Sequence, residues 1–422
     1  MKVGISLDKS ENLHLNKNKS KDSLKKQRWA ILSISSIPLV MTLGNSMLIP
    51  VLPAMEKELN ISSFQTSMII TVYSIVAIIL IPLAGYISDH VGRKRVIIPS
   101  LFIAGIGGLI SGYAAWKLSD AYWLILIGRA LQGIGAAGGA PIVMPLVGDM
   151  FKSDEEVSST LGMIETSNTF GKVLSPVLGA YLAGIIWYIP FLAFPVFCAI
   201  SIVMMIFLVK TPIKKEENIP FKVFAQNTKK IFKDNGRWLG AVFIIGGILM
   251  FVLFGVLFYL SDILEKVYHI EGVKKGFLLA GPLGALCLSS FITGKLIKEN
   301  KVVMKWITFI GIVVFTLSVA ALSFSNSLWY MIGIFVASGI GIGVGLPCLD
   351  ALITEGIEAK ERGTITALYS SMRFIGVAAG PPAVAIIMKH SDTWLFILLC
   401  SCGILAALAS LFAIKPKKGG KK

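Results

Sequence analysis

The sequence predicts an all-α polytopic membrane protein, with twelve transmembrane helices in two similar six-helix halves. Three observations predict this fold: the composition, the spacing of the apolar runs and a repeat between the halves. Of the 422 residues, 55% are hydrophobic and only 15% are charged, whereas a soluble protein carries about 25% charged residues. Most of the chain must therefore lie in lipid.

Twelve apolar runs follow one another along the chain, each long enough to cross the hydrocarbon core of a bilayer as a helix. They lie at 29–51, 64–87, 96–116, 122–149, 159–185, 188–209, 238–262, 273–296, 305–324, 328–352, 362–388 and 394–414. The connections are short except for one. The predicted order is therefore a tail (1–28), a first half (29–209), a linker (210–237), a second half (238–414) and a basic tail (415–422).

The positive charges predict the orientation. The 40 Lys and Arg residues concentrate in the tails, in the linker and in alternate connections, and short connections rich in these residues stay on the cytoplasmic side. We therefore expect both termini to be cytoplasmic, in a plasma-membrane protein surrounded by lipid. The net charge of +16 then reflects topology, and we predict no nucleic-acid partner.

The second half repeats features of the first. Pro141 and Asp149 in the fourth span recur at one constant separation as Pro347 in the tenth span and Glu355 just after it. In the fifth and eleventh spans the correspondence continues, with Gly171, Ser175 and Pro176 matched by Gly376, Gly380 and Pro381. Two similar halves joined by a linker are typical of secondary transporters, whose binding site lies near the bilayer midplane between the halves.

Four motifs occur in order on the predicted spans. The first span holds Leu43-Gly44 and Pro50-Val-Leu-Pro53, and the loop after the second reads Gly85-Tyr-Ile-Ser-Asp89-His90-Val-Gly92-Arg93-Lys94. The fourth span holds Arg129-Ala-Leu-Gln132-Gly133, and the fifth holds Gly171-Lys-Val-Leu-Ser175-Pro176-Val-Leu-Gly179-Ala180. By these motifs the chain resembles the major facilitator superfamily over nearly all of 29–414, and within it the twelve-span drug:proton antiporter branch. His90 stands where that family usually has Arg or Lys, and Ser175 and Ala180 replace two glycines of the antiporter motif.

The resemblance implies a secondary active exporter rather than an enzyme. It would exchange inward proton flow for outward movement of an amphipathic drug or secreted metabolite by alternating access, as a functional monomer without a cofactor or metal. The chain holds no Gly-x-x-x-x-Gly-Lys-Ser/Thr sequence for nucleotide phosphates, so the proton gradient would drive it. Two alternatives stay open: an uptake symporter for an organic anion or sugar, and a membrane receptor that transports nothing.

The loop after the second span predicts a conformational latch. Gly85 and Gly92 permit tight turns and close helix approach, and Arg93 is expected to pair with Asp149. Asp89 can accept hydrogen bonds from the free amides at a helix N-terminus, which family likeness places near Arg362–Thr364. Such a cluster would hold the halves in the outward-open state.

The alternative for the cations of this loop is a topology signal bound to anionic lipid, which we favour for Lys94 and Arg95.

In the fifth span, Gly171, Pro176 and Gly179 predict a thin, bendable helix. Gly376, Gly380 and Pro381 predict the same in the eleventh.

Four ionisable residues lie deep inside predicted spans, where charge is costly and by default functional: Arg129, Glu165, Lys172 and Arg373. Glu165 is a candidate proton carrier, or it neutralises Lys172 on the same helix face. Arg129 is a candidate for proton relay by family likeness, or else a hydrogen-bond anchor to backbone. Asp262 and Asp350 fall near span ends, so we do not expect them to act as embedded groups.

Lys172 and Arg373 lie near the middle of their spans, on helices related by the repeat. Two cations at this depth would attract an anionic or zwitterionic compound, such as a siderophore-like metabolite, unless each pairs with a carboxylate. Tyr259 and Tyr369 are candidate aromatic residues of the same cavity.

Overall fold

Twelve helices, α1 to α12, cross the protein in alternate directions in a computed structural model that describes residues 27–151, 154–210, 221–297, 300–325, 327–357 and 359–414. Their bounds are α1 Arg28–Glu58, α2 Ser63–Val91, α3 Arg93–Lys117, α4 Tyr122–Met150, α5 Asp154–Ile185, α6 Ile189–Leu208, α7 Phe221–Lys266, α8 Gly272–Leu296, α9 Lys301–Phe324, α10 Leu328–Gly356, α11 Ala359–Ile387 and α12 Asp392–Ala413. Within the described ranges, eleven of these helices contain a segment long and apolar enough to span a membrane. The remaining one, α5, is long enough at 32 residues but is more polar.

Local sequence signals set several helix ends. Ser62 and Gln65 form a capping box at the start of α2, and the Asn300 side chain accepts from two backbone amides at the start of α9. Gly92 separates α2 from α3 with a φ of 103°, a backbone conformation that residues with a Cβ rarely adopt. The predicted tight turn at Gly92 is therefore present.

Two of the helices are interrupted. In α1, an α-helix over Arg28–Ser46 gives way to a 3-10 turn at Ile49–Val51 and resumes as an α-helix over Leu52–Glu58. The turn contains one proline and another follows it, and proline lacks the N–H that a regular helix needs. In α4, the interruption is at Gly139, between Tyr122–Gly138 and Ala140–Met150.

The linker prediction needs one correction. The predicted boundary at 238 falls inside α7, which runs without a break for 46 residues from Phe221. No proline or glycine occurs between 221 and 235, so nothing in that stretch ends the helix. The rest of the predicted linker (211–220) and the tails (1–26 and 415–422) lie outside the described residues.

The halves are α1–α6 and α7–α12, and they pack in the same way internally. In the first half α5 lies along α1, and in the second half α11 lies along α7. Across the interface α2 packs on α11 and α5 packs on α8. A buried hydrogen bond joins the first of these pairs, from Thr71 Oγ1 to the carbonyl oxygen of Ala378 at 2.8 Å.

Because successive helices run in opposite directions, their termini and connections lie at two ends of the bundle, here called the proximal end and the distal end. The proximal end holds the start of α1 and the end of α12. There Arg237, inside α7, donates to the carbonyl oxygen of Phe412 at 3.2 Å. The distal end holds the 3-10 turn of α1, the end of α7 and the start of α8.

Candidate functional site

Four charged side chains approach one another where the halves meet. Arg373 lies midway along α11, and its Nη1 atom is 3.6 Å from Oδ1 of Asp350 on α10. These two side chains are 19% and 38% exposed, so neither is sealed in the protein. Lys172 of α5 lies within electrostatic range of both, and also of Glu165. Two cations and two carboxylates, drawn from both halves, thus form one cluster.

The inclusion of Asp350 corrects the sequence prediction. A span ending at 352 would put Asp350 at the membrane boundary, but α10 continues to Gly356, so Asp350 lies inside the helix. The signal that could have found it is Arg373, because a cation at mid-span needs a partner, and a carboxylate on a neighbouring helix is one of the groups that can supply it.

Glu165 belongs to a hydrogen-bond chain that leads to α1. Asn168 Nδ2 donates to both Glu165 carboxylate oxygens at 3.4 Å, and Thr169 Oγ1 lies 3.5 Å from Oε1. The Asn168 amide oxygen in turn accepts from Thr42 Oγ1 of α1 at 2.6 Å. Thr42 and Asn168 therefore link this carboxylate to α1.

Of the two predicted aromatic residues, only Tyr369 lies in the cluster. Its side chain is 2% exposed, and the guanidinium carbon of Arg373 is 5.7 Å from its ring centroid. Among the described residues its hydroxyl has no hydrogen-bond partner, which is costly for a buried polar group. Tyr259 lies elsewhere, against Phe396 of α12, with ring centroids 5.9 Å apart; it sits toward the distal end of α7.

Arg129 is completely buried and hydrogen-bonded to neutral acceptors. Its Nε donates to the carbonyl oxygen of Ile69 at 2.7 Å, Nη1 to that of Gly44 at 2.9 Å, and Nη2 to Oδ1 of Asn45 at 2.7 Å. Nη1 also contacts the Gln132 amide oxygen. These bonds tie α4 to α1 and α2, which favours the hydrogen-bond anchor over the proton relay; the relay itself stays a prediction.

The glycines of the antiporter motif line the contact between α5 and α1. Gly171 faces Leu39, and a Cβ at Gly179 would collide with the carbonyl oxygen of Met47. Pro176 lies on the other side of α5, where its carbonyl oxygen approaches Gly276 of α8. Ser175, fully buried, donates to the carbonyl oxygen of Lys172 at 3.0 Å. The motif therefore packs α5 between α1 and α8.

The counterpart glycines in the second half also allow close helix packing, here of α11 on α7. Gly376 and Gly380 lie directly against the backbone of α7 at Gly247 and Phe251. Pro381 lies inside α11 immediately after them. The helices related by the repeat are thus packed by related residues.

Asp89, Arg93 and Asp149 form a cluster at the proximal end of the first half, here called the proximal cluster, and its Arg93–Asp149 pair is the one that the sequence predicts. Arg93 forms ion pairs with Asp89 and with Asp149, the second at 3.4 Å between Nε and Oδ2. Its Nη1 also donates to Ser88 Oγ at 2.6 Å. Around Gly85 there is open space, since nothing lies within 4 Å of an added Cβ. The side chain of Arg362, at the predicted partner of Asp89, lies outside the described residues.

Lys94 departs from the prediction of a lipid-bound topology signal. Its Nζ donates to the carbonyl oxygens of Ile206 at 3.0 Å and Val209 at 2.7 Å, at the end of α6. The last carbonyl groups of a helix have no partner within the helix and attract cations. Lys94 therefore joins α3 to α6.

Comparison with known proteins decides the family. The model of the Major Facilitator Superfamily matches residues 34–308 and 302–422. The chain belongs to the major facilitator superfamily. The predicted family and twelve-helix fold are thereby confirmed, and the protein is a membrane transporter, not an enzyme.

Relatives within the superfamily are exporters and resistance proteins. The chain is 55% identical over 389 residues to the bacillibactin exporter of Bacillus subtilis (strain 168), covering 92% of this chain and 97% of the relative. It is 25% identical to the class B tetracycline resistance protein of Escherichia coli, covering 92% and 98%. These relatives support the predicted efflux function and do not favour the uptake alternative.

A solved structure supports the fold alone. The human organic anion transporter MFSD10 (TETRAN) superposes with a TM-score of 0.70 at 16% identity, covering 91% of this chain and 99% of that one. The superfamily architecture is therefore retained at low sequence identity, and the substrate must be argued from side chains.

The packing of α5 in this superfamily member yields a direct test. We expect Gly179→Ala to lower the free energy of unfolding by about 1–3 kcal/mol, the usual effect of overpacking, because the new methyl meets the Met47 backbone. Thermal unfolding of the detergent-solubilised protein measures it. Gly184→Ala is the matched control on the same helix, since nothing lies within 4 Å of its added Cβ. Equal stability of the two variants would contradict the packing.

Proposed function

We propose that this protein is a proton-coupled exporter of a siderophore-like metabolite, bacillibactin or a compound of similar chemistry. Positive charge on alternate connections supports cytoplasmic termini, so the proximal end would face the cytoplasm and the distal end the outside of the plasma membrane. The observation that carries the proposal is the cluster of Glu165, Lys172, Asp350 and Arg373 at the junction of the halves. A functional monomer in lipid, cycling by alternating access, suffices for this mechanism.

The charge balance of the cluster narrows the substrate class. The sequence leaves open whether the two cations are free or paired with carboxylates. In the structure Arg373 pairs with Asp350 and Lys172 lies near Glu165. Such a cluster is close to neutral and does not act as a simple anion trap. The cations can donate to carboxylate or phenolate oxygens, and the carboxylates can accept from hydroxyl or amide groups. A polar metabolite that carries both kinds of group fits this arrangement.

The carboxylates of the cluster also provide a way to exchange substrate for protons. A carboxylate accepts hydrogen bonds only, and it becomes a donor when it is protonated. Protonation of Glu165 or Asp350 therefore removes acceptors that a substrate hydroxyl needs. Substrate and proton then compete for one cluster, which is what antiport requires. Glu165 is the better placed carrier, because Asn168 and Thr42 link it to α1.

We also propose that the proximal cluster around Arg93 governs the conformational change. Asp89, Arg93 and Asp149 join α2, α3 and α4 into one block, with a turn at Gly92; Gly85 lies inside α2 and, unlike the prediction, forms no turn. Docking of Asp89 against the start of α11 would close the proximal end and so favour the outward-open state. Release of that contact would reopen the cytoplasmic side.

Everted membrane vesicles test direction and coupling together. Their cytoplasmic face is outside, so an exporter loads the lumen. We expect vesicles that contain the protein to accumulate bacillibactin when the lumen is acid, and to lose it when a protonophore is added. Vesicles from cells without the protein are the control. Accumulation only in right-side-out vesicles would contradict export, and accumulation unaffected by the protonophore would contradict proton coupling.

Substitution of the two cations tests the cavity. We expect Lys172→Ala and Arg373→Ala each to raise the KM for bacillibactin about tenfold, the loss that follows from one missing charged hydrogen bond, with a smaller change in kcat. Lys57→Ala, an exposed distal lysine, is the control for a change of charge. A purely structural role would lower the amount of folded protein and leave KM unchanged.

A further inference from the structure

The 3-10 turn of α1 presents backbone carbonyl oxygens to the second half at the distal end. Pro53 has no N–H with which to complete a helical bond to the carbonyl oxygen of Ile49, four residues earlier. That oxygen accepts instead from the Leu52 amide within the turn and from Ser261 Oγ of α7 at 2.8 Å. A hydroxyl of the second half is thus bonded to the backbone of the first.

Lys275 makes a second bond of this kind, and it is buried. The residue is 1% exposed, and lysine is almost never fully buried without a partner. Its Nζ donates to the carbonyl oxygen of Pro50 at 2.8 Å and to Oε2 of Glu265 at 2.8 Å. The first acceptor belongs to α1 in the first half, and the second belongs to α7 in the same half as Lys275.

The neighbouring ion pairs of Lys266 are more exposed than those of Lys275. Lys266 joins Glu56 of α1 at 3.2 Å and Asp262 at 2.8 Å, but its side chain is 43% exposed. An exposed ion pair contributes little because water screens it. Next to Lys275, Gly276 lies against the backbone of Pro176 on α5. Lys275 is therefore the buried charged group that fastens the halves together at this end.

We propose that Lys275 is a positioning residue that sets the closed state of the outer end of the transport pathway. The Pro50 and Lys275 backbones move apart when the halves open outward, so the hydrogen bond between them must break. The Glu265 pair moves with Lys275, because both lie in the second half. Opening therefore breaks this buried hydrogen bond, together with the Ser261 bond and the exposed Lys266–Glu56 pair, while Lys275 keeps its buried ion pair with Glu265. This inference rests on the proposed orientation and alternating access.

Thiol labelling from outside the cell tests the proposal without any substrate. Val51, 1% exposed in the 3-10 turn, is replaced by cysteine, and intact cells are treated with a membrane-impermeant maleimide. The chain without this cysteine gives the background of the native thiols. In Lys275→Met we expect labelling about tenfold faster, the shift that loss of one buried charged hydrogen bond produces. Lys275→Arg should stay near the parent rate because it keeps a donor.

Lys274→Met is the matched control, since it removes the same charge from the adjacent, exposed position. A rate for Lys275→Met equal to that of Lys274→Met, with both proteins folded, would overturn the proposal. If Lys275→Met does not fold, Ser261→Ala replaces it and should raise labelling in the same direction; an unchanged rate there would also overturn the proposal. Faster labelling in a protein that exports nothing in vesicles would refute the proposed function while leaving the role of Lys275 intact.

Discussion

Glu165→Gln is expected to abolish proton-driven export while leaving the protein folded and inserted. Glutamine keeps the size of the side chain and still accepts from Asn168, so the contacts of this part of α5 survive. It cannot take up and release a proton, so the competition between proton and substrate is lost at this site. Export driven by an acid lumen in everted vesicles should fall to background, whereas binding of the substrate to the purified protein should persist.

Glu58→Gln provides the control, because Glu58 is an exposed carboxyl at the distal end and the chemical change is the same. Retained acid-driven export by Glu165→Gln would remove Glu165 as the carrier. Asp350→Asn would then be the next variant, since Asp350 is the other carboxylate of the cluster.

Arg129→Ala is expected to have the largest effect on stability. Removal of the guanidinium leaves the Gly44 carbonyl oxygen and the Asn45 and Gln132 amide oxygens without their donor in a fully buried place. The Ile69 oxygen loses one donor and keeps its bond within α2. Each buried acceptor left unsatisfied costs about 1–3 kcal/mol, so the loss should exceed about 3 kcal/mol. The measurement is the thermal unfolding temperature, together with the yield of monodisperse protein.

Arg129→Lys separates the anchor from the proton relay. Lysine keeps the charge, but its single ammonium cannot reproduce the planar fork that reaches α1, α2 and α4 together. An anchor therefore predicts that Arg129→Lys is also strongly destabilised. A stable Arg129→Lys variant with normal substrate binding and lost proton coupling would instead support the relay.

Much of the fold follows from the sequence because a bilayer leaves little choice. Backbone groups in lipid must bond within their own segment, so each long apolar run becomes a helix, and charge decides its direction. The same argument fails at helix ends, where water can satisfy the backbone. Hence α7 begins at Phe221 rather than 238, and α10 extends to Gly356.

The candidate site was predictable in part. Glu165, Lys172, Arg129 and Arg373 were identifiable because charge inside an apolar run is costly. Their partners were not, since pairing depends on how helices from distant parts of the chain face each other. Asp350 lies near a predicted span end, which hides its pairing with Arg373, and nothing in the sequence separates Tyr259 at the distal end from Tyr369 in the cluster. Lys275, at the very start of α8, has no feature in the sequence that distinguishes it from the exposed Lys274.

Main-chain recognition by Arg129, Ser261 and Lys275 has a consequence for how this transporter can evolve. All three bind carbonyl oxygens of neighbouring helices, and every residue type carries such an oxygen. The side chains of Ile69 and Ile49 can therefore change without loss of these bonds, while the three donors cannot. A lineage could thus remodel its cavity for new compounds, including toxic ones, and inherit its scaffold and outer closure unchanged.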